Sequence, residues 1–115
     1  MAALTQHIVV CEYLYVIENV RSETEPRLAA AELFRALAHP LRMGIVETLA
    51  ETPRCVHEIV DALGVDQPLV SQHLRVLRSA RVLRTERRGK EILYSLADRH
   101  VAHIVGDAIT HVQEY

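Results

Sequence analysis

CVHEIVDALGVDQPLVSQHLRVLRSARVLRTERRGKEILYSL, residues 55–96, is the stretch on which the fold turns. Val56, Ile59, Val60 and Leu63 recur at helical spacing, and Gly64 stands where a helix end needs a left-handed residue. After Gly64, Val65 and Asp66 a second helix can begin, because Asp66 is a good N-cap and Pro68 is tolerated in a first turn. Two helices joined this tightly form a helix-turn-helix. In the second of them Leu69, Val70, Leu74, Leu77 and Ala80 point one way, while Gln67, Ser71, Gln72, Arg75, Arg78 and Ser79 point the other. Val82 to Thr85 and Ile92 to Leu96 then read as strands joined through Arg87-Arg88-Gly89-Lys90, whose glycine permits the turn. A helix-turn-helix followed by a basic β-hairpin is the winged-helix plan: one helix enters the major groove and the hairpin reaches neighbouring phosphates.

Working outward from this stretch, Leu28, Leu33, Phe34 and Leu37 give a first helix from Pro26, which His39-Pro40 interrupts. Pro40 suits the first turn of a second helix that buries Leu41, Ile45, Val46 and Leu49 before Thr52-Pro53 stops it. A last helix starts near Asp98 and runs to the end, with Val101, Ile104, Val105, Ala108, Ile109 and Val112 as a stripe broad enough to pack on something outside the domain's own core. The expected fold class is mainly α with a small β-hairpin, a homodimeric winged helix-turn-helix. Residues 26–115 form the DNA-binding and dimerisation domain. Residues 1–25 form an N-terminal extension, an arm or a dimer-interface helix, since Ile8 to Val20 is β-branched and aromatic yet could be helical.

Composition narrows the function classes. Half of the 115 residues are apolar and 24% are charged, which fits one globular domain and excludes a disordered or disulfide-scaffold chain. No apolar run reaches the ~18 residues a membrane span needs. The apolar stretch from His7 to Val20 lacks a basic start and holds Glu12 and Glu18, so no secretory signal is expected and the chain should be cytoplasmic. Residues 75–90 carry seven cations against Glu86, a net of +6 in a chain whose total is −2, so the remainder carries −8. A basic stripe on an acidic body is how a phosphate-binding face looks, and composition alone leaves a solvated arginine-rich face equally open. The outward side of the second helix of the pair lacks Asp and Glu, which favours double-stranded DNA, with Gln67, Ser71, Gln72 and Arg75 at the bases and Arg87, Arg88 and Lys90 at phosphates. A glycine-rich phosphate loop and a nucleophile elbow are both missing, so an enzyme is the least favoured class.

Three of the seven histidines, His100, His103 and His111, fall in the last sixteen residues. His111 and Glu114, three apart, are neighbours on a helix and can share an ion, whereas His100 lies ~16 Å away along the axis. One helix cannot bring them to one metal. An antiparallel pair across a two-fold axis can, setting Asp98 and His100 of one copy beside His111 and Glu114 of the other. Two imidazoles and two carboxylates suit a four-coordinate divalent ion, zinc first with cobalt and nickel behind it. Chance placement of surface histidines and acids on one arc is the competing reading.

Leu33, Ala38-His39-Pro40-Leu41-Arg42, Cys55-Val56-His57-Glu58, Val70-Ser71-Gln72-His73-Leu74, the Arg88-Gly89-Lys90 wing and Asp98-x-His100 with His111-x-x-Glu114 together resemble the ArsR/SmtB metal-sensing repressors over about residues 26–115. The resemblance implies a homodimer that holds an operator when metal-free and releases it when the ion binds. It also implies the C-terminal-helix zinc site at Asp98, His100, His111 and Glu114. Arsenic-sensing members carry Cys-Val-Cys where this chain has Cys55-Val56-His57, which argues against a three-thiolate site. A second metal site known in other relatives would here use Cys11, with His7 or Glu12, and Cys55, His57 and Glu58. Buried, inert cysteines are the plain alternative. The rival function is a winged-helix regulator sensing oxidation or another ligand through Cys11 and Cys55. A protein-interaction module on the same scaffold would leave the arginine stripe unexplained.

Overall fold

The computed structural model describes residues 25–115. The chain divides into two units, Met1–Glu32 and Leu33–Tyr115. Of the first, the described part is the opening of α1 (Pro26–Leu37), where Glu25 Oε1 accepts the Arg27 N–H at 2.9 Å. The second holds α2 (Pro40–Glu51), β1 (Arg54–Cys55), α3 (Val56–Leu63), α4 (Gln67–Ser79), β2 (Leu83–Arg88), β3 (Glu91–Leu96) and α5 (Arg99–Glu114).

Local chemistry explains most of these boundaries. Pro40 sits in the first turn of α2, and His39 caps it, its Nδ1 accepting the Leu41 N–H at 3.1 Å. Gly64 ends α3 at φ 66°, in the left-handed region as expected, and its N–H reaches the Val60 carbonyl at 2.8 Å. Asp66 does precede α4 in extended conformation, but its side chain makes no capping hydrogen bond. At the far end of α4, Val82 N–H donates to Leu77 O and Arg81 N–H to Arg78 O, both at 3.0 Å, which closes the helix with Arg81 at φ 62°. An arginine with a positive φ is strained where glycine is not. Arg81→Gly is therefore expected to stabilise the fold by about 1 kcal/mol, read as a rise of a few degrees in thermal midpoint. An unchanged or lower midpoint would contradict that account.

The core is aliphatic, as one phenylalanine and no tryptophan require. Ile45, Val46, Ile59, Val70, Leu77 and Val82 are fully buried where α2, α3 and α4 meet, and Val101 and Val105 join the same cluster from α5. The sheet departs from the expected two-stranded hairpin in two ways. It has three antiparallel strands in the order β1-β3-β2, because Arg54 and Cys55 pair with Tyr94 and Leu93. The wing strands are also longer, with Arg87 opposite Ile92 and Arg88 opposite Glu91, so the turn shrinks to Gly89-Lys90 with Gly89 at φ 61°. One position on α4 differs from the helical-wheel assignment: Leu69 is 41% exposed. His73, assigned to neither face by the sequence, is buried beside Val70 and Leu74. A wheel ranks faces by hydrophobicity, and it cannot see that α2 supplies polar partners for an imidazole.

Candidate nucleic-acid interface and metal ligands

α4 contains no acidic residue, and Gln67, Gln72, Arg75, Arg78 and Ser79 lie exposed along it, with Ser71 half-buried. Asp66 at its N-cap keeps a carboxylate at that helix end, so the cationic character of α4 lies along its exposed face, at Arg75 and Arg78. On the wing, Arg84, Arg87, Arg88 and Lys90 are exposed. Arg87 Nε donates to the Gly89 carbonyl at 3.3 Å, and Arg88 pairs loosely with Glu86 at 3.7 Å. That exposed pair is weak enough for a phosphate to displace the carboxylate. Helix and wing meet at one open cleft of about 400 Å³, bordered by Gln67 from α4, Lys90 and Glu91 from the wing, and Cys55, His57 and Tyr94. Residues assigned separately to base and phosphate contact therefore share an edge.

The cleft also contains a feature the sequence did not reveal. Cys55 Sγ donates to Glu91 Oε2 at 3.3 Å, and His57 Nδ1 lies 3.6 Å from Glu91 Oε1. Glu91 is 36 positions beyond Cys55, and only the β1–β3 pairing brings them together. Glu58, expected beside them, is used differently. Its Oε1 accepts the Cys55 N–H at 2.9 Å, and that backbone bond holds its carboxyl below the ordinary range. Burial, with Glu91 next, pushes the Cys55 thiol up to about 11, so at neutral pH it is protonated and a poor nucleophile. Cys11 lies outside the described residues. Among the described residues no three His, Cys, Asp or Glu side chains are grouped to hold a metal within one chain.

The four C-terminal candidates stand apart in the single chain. Asp98 caps α5, its Oδ1 accepting the N–H of His100 at 2.9 Å and of Val101 at 3.3 Å. Asp98, His100, His111 and Glu114 are all exposed, two at each end of the 16-residue helix. The His111 ring lies 4.7 Å from that of Tyr115. His103 and Asp107 are exposed between the two pairs. The apolar arc of α5 is only partly used by its own protomer. Val101 and Val105 are buried, but Ala108 is exposed and Val112 is 68% exposed. With Phe34, 56% exposed, Leu37, Met43 and Ile104, Ala108 lines an almost wholly apolar groove of about 260 Å³. No helix among the described residues is long and apolar enough to cross a membrane.

Residues 39–85 match the model of the bacterial regulatory protein, arsR family. The chain is 62% identical over 86 residues to the HTH-type transcriptional repressor SmtB of Mycobacterium tuberculosis, a match covering 75% of this chain and 64% of that protein's length. Among solved structures, the transcriptional repressor BigR of Xylella fastidiosa is 33% identical with a TM-score of 0.66, covering 84% of this chain and 92% of its own. The homodimeric winged helix-turn-helix DNA-binding domain of Mb0332 from Mycobacterium bovis is 28% identical with a TM-score of 0.68, covering 76% and 81%. These proteins are named for DNA binding or transcriptional repression, and none for catalysis.

Proposed function

Since the chain belongs to the ArsR/SmtB family of winged-helix regulators, we propose that it is a transcriptional repressor that binds operator DNA as a metal-free homodimer and leaves it when zinc or a similar divalent ion binds across the dimer seam. The observation that carries this reading is the placement of ligands on α5. Two candidate donors stand exposed at each end of one helix, beside an apolar arc that its own chain covers only in part. An antiparallel α5–α5 seam would bury that arc and set Asp98 and His100 against the partner's His111 and the partner's Glu114. The donor set of two imidazoles and two carboxylates fits a divalent first-row ion, zinc before cobalt or nickel. What a bound ion supplies is a cross-link between the two copies. The free-energy gain of that cross-link acts on DNA binding only so far as it differs between the DNA-bound and released arrangements of the dimer.

On DNA, Ser71, Gln72 and Arg75 would read base edges while Arg87, Arg88 and Lys90 hold phosphates. Operator binding measured in chelator and then across a panel of divalent metals tests the whole proposal. Tight binding in chelator and loss on zinc addition is the expected result. Affinity indifferent to every metal overturns the sensing half. A finer test separates the two contact classes. Arg88→Ala should weaken specific and random DNA alike and flatten the salt dependence by about one unit of slope. Gln72→Ala should instead cost roughly 1–3 kcal/mol of discrimination at one base pair. An Arg88→Ala protein with unchanged salt slope would remove the wing from the interface.

The thiol-switch reading draws no support from Cys55, whose buried, carboxylate-bonded thiol is the opposite of a reactive one. A metal at Cys55, His57 and Glu58 would need the thiol proton displaced and Glu58 drawn off the Cys55 N–H.

A further inference from the structure

We infer that His73 is a positioning residue for α4, acting through Arg42 and His39, and that protonating its imidazole frees α4 from the start of α2 and weakens binding to DNA. The inference rests on the DNA-binding reading of α4. His73 is 7% exposed, and its neighbours Gln72 and Arg75 are among the exposed residues assigned to DNA. Its Nδ1 accepts the Nε–H of Arg42 at 3.2 Å, and Arg42 Nη1 donates to the Ala36 carbonyl at 3.0 Å. The ring of His39, the cap of α2, lies against that of His73 with centroids 4.4 Å apart and planes tilted by 43°. Through one guanidinium and one imidazole pair, α4 is tied to the end of α1 and the beginning of α2. A rotation of α4 that carried Gln72 or Arg75 off a base edge would break these contacts.

The arrangement accepts only one protonation state. Nδ1 can receive the Arg42 N–H only with its lone pair free, so the ring proton sits on Nε2. A second proton on Nδ1 would turn acceptor into donor, opposite another donor, and would place a charge beside a guanidinium in a nearly dry space. Burial first, then His39 and Arg42, hold His73 below the ordinary histidine value of 6.5. Those two groups from the start of α2 are the titratable and charged neighbours acting on it among the described residues. α3 and β2 meet α4 through apolar side chains of the core. The sign follows from linkage. A histidine depressed in the folded state leaves the unfolded chain with more bound protons, so its stabilising contribution is complete above the unfolded value and declines as pH falls through it. Operator affinity should fall as the imidazole takes up its proton, by a factor approaching ten for each pH unit below its pKa.

His73→Asn keeps an acceptor near the Nδ1 position and cannot titrate. Operator affinity of both proteins, measured in chelator at constant ionic strength between about pH 7.5 and about pH 5, should fall for the wild type and hold for His73→Asn. The wild-type chain, followed by imidazole NMR over the same range, should show the Nε2–H form of His73 and a midpoint below 6.5. Equal loss of affinity in both proteins, an Nδ1–H tautomer, or an ordinary midpoint would overturn the inference. The NMR titration needs no variant to fold. If the wild type bound no DNA at neutral pH, the DNA-binding reading would fail while the titration still decided the network.

Discussion

His111→Gln is expected to abolish tight zinc binding at the α5 seam and, with it, zinc-driven release from the operator, while folding and DNA binding in chelator survive. The reason is where His111 stands. It is exposed near the end of α5, with Tyr115 as its ring contact, and belongs to neither the core cluster nor the α4 surface. Removing its imidazole therefore takes away the proposed ligand and little else. The coupling between ion and DNA in such a switch is typically 1–3 kcal/mol, a 5- to 150-fold change in affinity, and it should collapse to near unity. Cys55→Ser, run in the same zinc titration, separates the two candidate sites. If Cys55 and His57 held the regulatory ion, His111→Gln would release normally and Cys55→Ser would not. A fully zinc-responsive His111→Gln protein would remove the α5 site from the mechanism.

The second large effect concerns assembly. Val112→Asp places a charge on the exposed part of the α5 arc, where the single chain loses nothing, and should convert the proposed dimer to a monomer in sedimentation. A monomer spans one half-site and cannot complete a shared metal site, so operator affinity and zinc binding should fall together. The neighbouring arc position 105 is a different experiment. Val105 is 2% exposed and part of the protomer's own core, so Val105→Asp should unfold the domain, at a cost above about 3 kcal/mol. Exposed and core-facing residues share one apolar stripe in the sequence, and burial in the fold divides them. Unchanged sedimentation of Val112→Asp would move the interface off α5.

How far the fold could be read depended on the range of the interactions that make it. Helices α1 to α5 were legible because apolar spacing, Pro40, Gly64 and Asp98 act within a turn or two of chain. The wing was legible in kind but short in extent. Arg87 and Arg88 read as a turn by composition, while their ladder partners Ile92 and Glu91 carry them into the strand. β1 is two residues long and leaves no period to detect, and it exists because β3 offers it a free edge.

The amino-acid order by itself determined the winged helix-turn-helix, the acid-free face of α4, the cationic hairpin and the pairs of ligand-type residues at the two ends of α5. Each of these is a property of neighbours along the chain, where spacing converts directly into a shared face. Only the tertiary structure decided that Glu91 lies against Cys55 and that His73 faces Arg42 and His39. Polar side chains become buried, bonded and shifted in protonation through groups 31 to 36 positions away, and which groups those are is set by how elements pack.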